Sequence, residues 1–192
     1  MPETHMEYAH SAMKNEALMV LVMASGLGSR FRASGGTSHK LDALLNGKTV
    51  LQHTLDAVAA SGLPCHLERA SHPGMGSAIA AAVRATADST GWLILPGDMP
   101  LVQPDTLRLV ARALQSHAVA YVSFQGQRGH PVGFARACRE ELLGLAGDHG
   151  AQRIIHAHAA IELRVDDAGC VLDIDTVADL ERASRQLIEL NR

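Results

Sequence analysis

Short apolar runs along the chain alternate with longer stretches in which apolar residues recur every three or four positions. This pattern predicts strands separated by helices, as in an α/β domain built on a mostly parallel sheet. Residues 17–24 form the first strand. Asn46-Gly47 marks a turn, and Thr49–Ala60 reads as an amphipathic helix stopped by Gly62. Leu63–Leu67 is a weak strand, Gly74–Asp88 a helix with a glycine-rich entrance, and Gly91–Leu95 a buried strand that ends in Pro96-Gly97-Asp98-Met99-Pro100. Pro104 opens a helix that runs to Gln115, since proline suits the first helical position. The strand Ala118–Phe124 follows, then a loop GQRGHP and a short apolar run Val132–Phe134. Helical pieces at Arg139–Leu145 and Ala151–His156, a strand at Ile161–Val165 and a closing helix at Val177–Leu190 complete the pattern.

Length and charge narrow the picture. The 192 residues suit one domain over residues 17–192, preceded by a polar, flexible tail over residues 1–16 that lacks the apolar core of a signal peptide. Apolar residues make up 47% of the chain but aromatic ones only 3%, so the core rests on Ala, Leu and Val, and no base-stacking surface is expected. A net charge of −3 excludes the electrostatic footprint of a nucleic-acid or anionic-membrane binder. Cys65, Cys138 and Cys170 are far apart and form no metal or redox spacing. His156 and His158, two apart with no acidic pattern nearby, read as structural. No apolar run is long enough to span a membrane. The expectation is a cytoplasmic enzyme.

The candidate chemistry begins at Leu18–Arg32, LMVLVMASGLGSRFR, where a buried strand runs into a glycine loop carrying an arginine. Glycines let backbone N–H groups approach phosphate oxygens, and Arg30 with Lys40 supplies charge. A dinucleotide fingerprint needs a third glycine where Phe31 stands and a helix directly after it, whereas RASGGTSHK is rich in turn formers. Gly35–Lys40 lacks the residue order of a P-loop. Asp98, directly after a buried strand, stands where parallel sheets bind ligands and suits a hard cation such as Mg²⁺. Asp173 and Asp175 offer a second carboxylate. Two cations, a metal aspartate and a second carboxylate together suit transfer at an α-phosphate. Each residue also has a plainer reading: Asp98, Asp173 and Asp175 suit caps and turns, His130 a solvated loop, and Gly76-Ser77 an ordinary helix start.

At these residues the chain resembles a known family. MASGLGSRFR…K is similar to the opening signature of nucleotidyltransferases with the molybdenum-cofactor-type NTP-transferase fold, and GMGSAIAAAVRA and LPGDMPLVQPDTL resemble its next two blocks. RGHPVGFAR, LLGLAGDHGAQRII and LDIDTVADLERA resemble most closely the molybdenum cofactor cytidylyltransferase branch. The resemblance implies a single-domain, three-layer, Rossmann-like α/β fold of the nucleotide-diphospho-sugar transferase type. It implies a reaction in which CTP and a molybdopterin-type acceptor give the cytosine dinucleotide cofactor and pyrophosphate, and with it a transient contact with a molybdoenzyme. It places Ala24, Ser25 and Gly26 along the nucleotide, and Gly28, Arg30 and Lys40 along its phosphates. Gly76 and Ser77 fall near base and ribose. Arg30, Lys40 and Asp98 are then the catalytic set, Asp98 with Asp175 or Asp173 the Mg²⁺ ligands, and His130 and Pro131 part of a loop beside the acceptor.

The sequence departs from that pattern in places. Nine residues separate Arg30 from Lys40, more than in the family, and Arg32 replaces the usual glycine. Ser25 matches neither common residue at its position, which leaves the base open. The interval between SGLP and HPGMGS is short where relatives commonly carry another strand and helix, so a sheet one strand short is expected. Two other functions remain: a guanylyl- or other nucleotidyltransferase acting on a different phosphate acceptor, and a non-catalytic accessory protein that carries cofactor to a molybdoenzyme.

Overall fold

The first apolar run becomes β1 (Met19–Met23), whose alternate residues face opposite sides of a sheet. A computed structural model describes residues 17–190; the tail expected over residues 1–16 lies outside them. After β1 come α1 (Ser29–Ala33), the hairpin β2 (Leu44–Leu45) and β3 (Lys48–Thr49), α2 (Val50–Ser61), β4 (Cys65–Glu68), α3 (Met75–Ala85) and β5 (Gly91–Pro96). The second half runs α4 (Pro104–Ala113), β6 (Val119–Phe124), β7 (Gln127–Ala135), α5 (Arg139–Leu143), α6 (Gln152–Ala157), β8 (Ile161–Arg164) and α7 (Val177–Leu190).

Six strands form one sheet in the order β4-β1-β5-β7-β6-β8. β1 pairs in parallel with β4 and β5, and β6 with β8, while β7 runs antiparallel to both its neighbours. The fold is thus the three-layer, mostly parallel α/β domain that the hydrophobic pattern predicts. On one face Val20, Val22, Leu93 and Leu95 pack with Val58 of α2, Leu107 of α4 and Ala183 of α7. On the other, Leu21, Met23, Trp92 and Ile94 pack with Ile79 of α3, Leu142 of α5 and Ile154 of α6. Trp92 is fully buried, and its indole N–H donates to the Thr86 hydroxyl at 2.9 Å. Between α2 and α3 stands β4 alone, a four-residue edge strand. No helix among the described residues is long and apolar enough to cross a membrane.

A single short turn of helix, α1, begins at Ser29, anchored by the buried Phe31, and stops before the turn-rich SGGTSHK. One local expectation is corrected. The GHP motif was expected in a loop but lies inside β7. Gln125 and Gly126 both take positive φ (50° and 81°), which closes a tight hairpin and lets pairing resume at Gln127. Tyr121 pairs with Val132 and Ser123 with Arg128, so Gly129, His130 and Pro131 bulge out opposite Val122. The His130–Pro131 peptide is cis.

Candidate active site

The site lies at the carboxyl edge of β1 and β5. Gly97 N–H donates to the Met23 carbonyl and Ala24 N–H to that of Glu68, both at 2.8 Å, so neighbouring strands fix where the glycine loop begins. Ala24 is buried, Ser25 partly exposed and Gly26 exposed. Gly28 adopts φ +63°, a conformation that favours glycine, and turns the chain into α1.

His39, which carries no signal of its own in the sequence, ties this loop to Lys40. Its Nδ1 accepts from Leu41 N–H, which leaves the proton on Nε2 to donate to the Gly26 carbonyl at 2.8 Å. Ser34 makes a second tie: its hydroxyl donates to the Phe31 carbonyl and accepts from Val177 N–H at the start of α7. The long interval from Arg30 to Lys40 therefore folds back on itself, and Lys40 reaches the site. Its Nζ stands 2.5 Å from Asp98 and 2.8 Å from Asp175. Arg30 pairs with the other oxygen of Asp175.

The carboxylates come from distant parts of the chain. Asp98 follows β5 and is 9% exposed, and its backbone carbonyl accepts from Ile174 N–H at 3.0 Å. Ile174 is fully buried, and this anchor presents its neighbours Asp173 and Asp175 toward Asp98. One oxygen of each of the three carboxylates lies within 4.8 Å of the others. Burial and the negative charge of Asp98 hold the Asp173 carboxyl above its ordinary range. Hydrogen bonds from Lys40 and Arg30 hold Asp175 below it. Burial works to lower the Lys40 pKa, but Asp98 and Asp175 outweigh it and the ammonium is held above its ordinary value.

The structure brings Arg30, Lys40, Asp98, Asp173 and Asp175 together, and Gly26, Gly28, Arg30, Lys40 and Asp175 line one open groove of about 220 Å³. Gly76 and Ser77 sit apart at the start of α3 and bond within the protein. Gly76 N–H donates to the Gly147 carbonyl at 2.8 Å, and the Ser77 hydroxyl accepts from Gly147 N–H. His130 lines a separate cavity of about 330 Å³ with Met23, Ile94, Pro96, Arg128 and Gln152; its neighbour Pro131 is buried in β7. The His130 Nδ1 is buried without a hydrogen-bond partner, and burial holds its pKa below the usual value.

With this geometry in place, comparison with known proteins decides the family. The family model of the MobA-like NTP transferase domain matches residues 56–161. The chain belongs to this nucleotidyltransferase family. Among curated relatives, Purine catabolism protein PucB of Bacillus subtilis (strain 168) is 32% identical over 128 residues, covering 64% of this chain and 62% of PucB. Bifunctional protein GlmU of Desulfitobacterium hafniense (strain DSM 10664 / DCB-2) is 27% identical over 141 residues, covering 62% of this chain and 30% of GlmU. The chain therefore spans less than two thirds of the length of either relative. Rv0371c of Mycobacterium tuberculosis H37Rv superposes with a TM-score of 0.76 at 26% identity, covering 88% of this chain and 98% of that one. A complex of Rv0371c with manganese gives 0.70 at 25% identity, with the same coverage. Molybdopterin-guanine dinucleotide biosynthesis protein A of Archaeoglobus fulgidus, at 18% identity and a TM-score of 0.65 over 89% of this chain and 99% of its own, shares the fold.

Proposed function

We propose that the protein transfers CMP from CTP to a molybdopterin-type acceptor in the cytoplasm, with release of pyrophosphate, and hands the product to a molybdoenzyme by transient contact. The observation that carries nucleotidyl transfer is the convergence of Arg30 and Lys40 with Asp98, Asp173 and Asp175 at the edge where the glycine loop opens. The cytosine base and the acceptor rest on the RGHPVGFAR, GDHGAQR and DIDT blocks. The cavity beside His130 supports a bulky acceptor, because its walls are largely apolar while Arg128 offers a charge to an anionic group.

The residues present fit a divalent cation. Asp98 Oδ1 is buried with no hydrogen-bond partner, and a hard cation takes such oxygens readily. Asp98 and Asp175, with Asp173 beside them, would hold Mg²⁺, which offsets charge on the α-phosphate and on the leaving pyrophosphate. The glycine loop orients the triphosphate through its backbone N–H groups. Arg30 and Lys40 turn from their carboxylates to the phosphate oxygens and stabilise the charge that builds there. An acceptor phosphate oxygen then forms a bond to the α-phosphorus as the bond to the bridging oxygen breaks, and pyrophosphate leaves.

Incubating the protein with Mg²⁺, each nucleoside triphosphate and molybdopterin cofactor, and following pyrophosphate release, tests the reading. CTP-dependent release is expected. Release only with GTP or another acceptor favours the guanylyl- or other transferase, and binding without turnover favours an accessory protein. Asp98→Ala should lower turnover by about 10³-fold or more while circular dichroism stays unchanged. Near-normal turnover in that variant overturns the metal assignment.

A further inference from the structure

A second cluster of ligating side chains lies on the helical layer formed by α3, α5 and α6, away from the carboxylates. Cys138 ends a short 3-10 turn (Arg136–Cys138), Glu141 follows it in α5, and His158 caps the end of α6. His158 Nε2 lies 2.6 Å from Glu141 Oε1 and 3.9 Å from Cys138 Sγ. One donor atom from each residue lies within 4.8 Å of the other two. We propose that Cys138, Glu141 and His158 form a zinc-binding site.

The donor set decides the metal. Thiolate and imidazole are ligands of zinc rather than magnesium, so this cluster and the all-oxygen site of Asp98 select different ions. In a tetrahedral zinc site, sulfur, nitrogen and oxygen donors lie about 3.2–3.8 Å apart. The imidazole lies 2.6 Å from the Glu141 oxygen and 3.9 Å from the sulfur, values on either side of that range, so a small side-chain rotation would seat an ion among three donors carried on separate elements. An ion pair between Glu141 and His158 accounts for two members, and the buried sulfur stands against the same imidazole nitrogen. A thiolate, a carboxylate and a neutral imidazole also balance the charge of Zn²⁺ once the Cys138 thiol has given up its proton, which passes to solvent.

Without metal the thiol stays protonated. Burial and the nearby Glu141 charge push its pKa up to about 11, and Sγ lies 3.5 Å from the Ala118 carbonyl. Cys138 is buried, whereas Glu141 and His158 keep 43% and 27% of their side-chain surface, which leaves the solvent side open for a water as fourth ligand. A metal here would staple α5 to the end of α6. Gln152 and Ile155 of α6 line the cavity beside His130, so the staple would fix one of its walls.

Titrating the metal-free protein with Co²⁺ tests the site, because thiolate ligation gives an intense near-ultraviolet charge-transfer band that carboxylates do not. One equivalent should produce that band, and Zn²⁺ should displace it and raise the melting temperature. Cys138→Ser should abolish the band. Glu141→Gln and His158→Gln, whose side chains reach solvent, should weaken Co²⁺ binding at least about tenfold. Asp98→Asn should leave the band intact, which separates this site from the carboxylate one. A missing band in the native protein overturns the proposal, as does one that survives Cys138→Ser and arises from Cys65 or Cys170. If the buried Cys138→Ser variant does not fold, unchanged affinity in both other variants is equally decisive against it.

Discussion

His130 shows how much of a side chain's behaviour depends on where the backbone turns. The GHP motif marked it in the sequence, but its burial comes from the bulge in β7, which carries it to the cavity instead of into solvent. Its pKa is lowered chiefly by burial, against the raising effects of the Ile94 backbone and Asp98 and with a smaller lowering effect from Arg128. The unfolded chain binds a proton at this histidine near pH 6.5 while the folded protein does not, so the stability it contributes is present above that value and is lost as pH falls toward the lower folded pKa. Urea unfolding from about pH 7.5 to about pH 5.5 should therefore show a steeper loss of stability in the native protein than in His130→Gln. Parallel curves would place the titration elsewhere. Arg30 and Asp98 stand out in the sequence because charge close to glycine after a strand is a local signal, whereas Lys40, separated from Arg30 by nine residues, stands out through the family signature. His39 and Ser34 do not, since each acts through a bond to a backbone group that only the fold brings near. His158 has no acidic pattern nearby in the sequence, and Glu141 supplies the partner from a different helix.

At the scale of elements, hydrophobic periodicity placed nearly every strand and helix, while irregular connections escaped it. The turn at Ala168–Val171 is one such case. Gly169 there lies against the Leu101 carbonyl, where an added Cβ would come within 2.0 Å. Asp167 holds this junction and is 3% exposed. It accepts from Gly169 N–H at 2.9 Å, Gln103 N–H at 3.0 Å and the Thr106 hydroxyl at 2.6 Å, joining the end of β8 to the start of α4. Asp167→Ala should leave three donors unmet and cost about 2–4 kcal/mol in a urea unfolding experiment. A loss below about 0.5 kcal/mol would mean that water replaces the carboxylate. Such a residue carries no sequence signature, because two of its three partners lie more than sixty positions away. In α1, conversely, the buried Phe31 holds a single turn of helix just ahead of a turn-rich segment.

Across the whole molecule, the site joins parts of the chain that are remote in sequence: Arg30 and Asp175 are 145 positions apart, and Lys40 and Asp175 are 135. The motif order made this closure readable, since glycine loop, Asp98 and DID segment each stood beside a strand or helix predicted from pattern. The pairing of Lys40 with both Asp98 and Asp175 has a thermodynamic consequence. A divalent ion arriving alone must compete with an ammonium for the same oxygens, whereas a triphosphate gives that ammonium somewhere else to go. Ion and nucleotide should therefore bind synergistically, and reciprocity requires each to tighten the other by the same factor. Calorimetry with Mg²⁺ alone, then with a non-hydrolysable CTP analogue, should give at least about tenfold tighter ion binding in the presence of the nucleotide. In Lys40→Met the competitor is gone, and that factor should shrink to what direct attraction between ion and phosphate supplies. Equal synergy with and without the lysine would show that the ammonium does not couple them. The lysine thus acts as a resident counter-ion that ties the two ligands together, so that the metal is committed only when the nucleotide accompanies it.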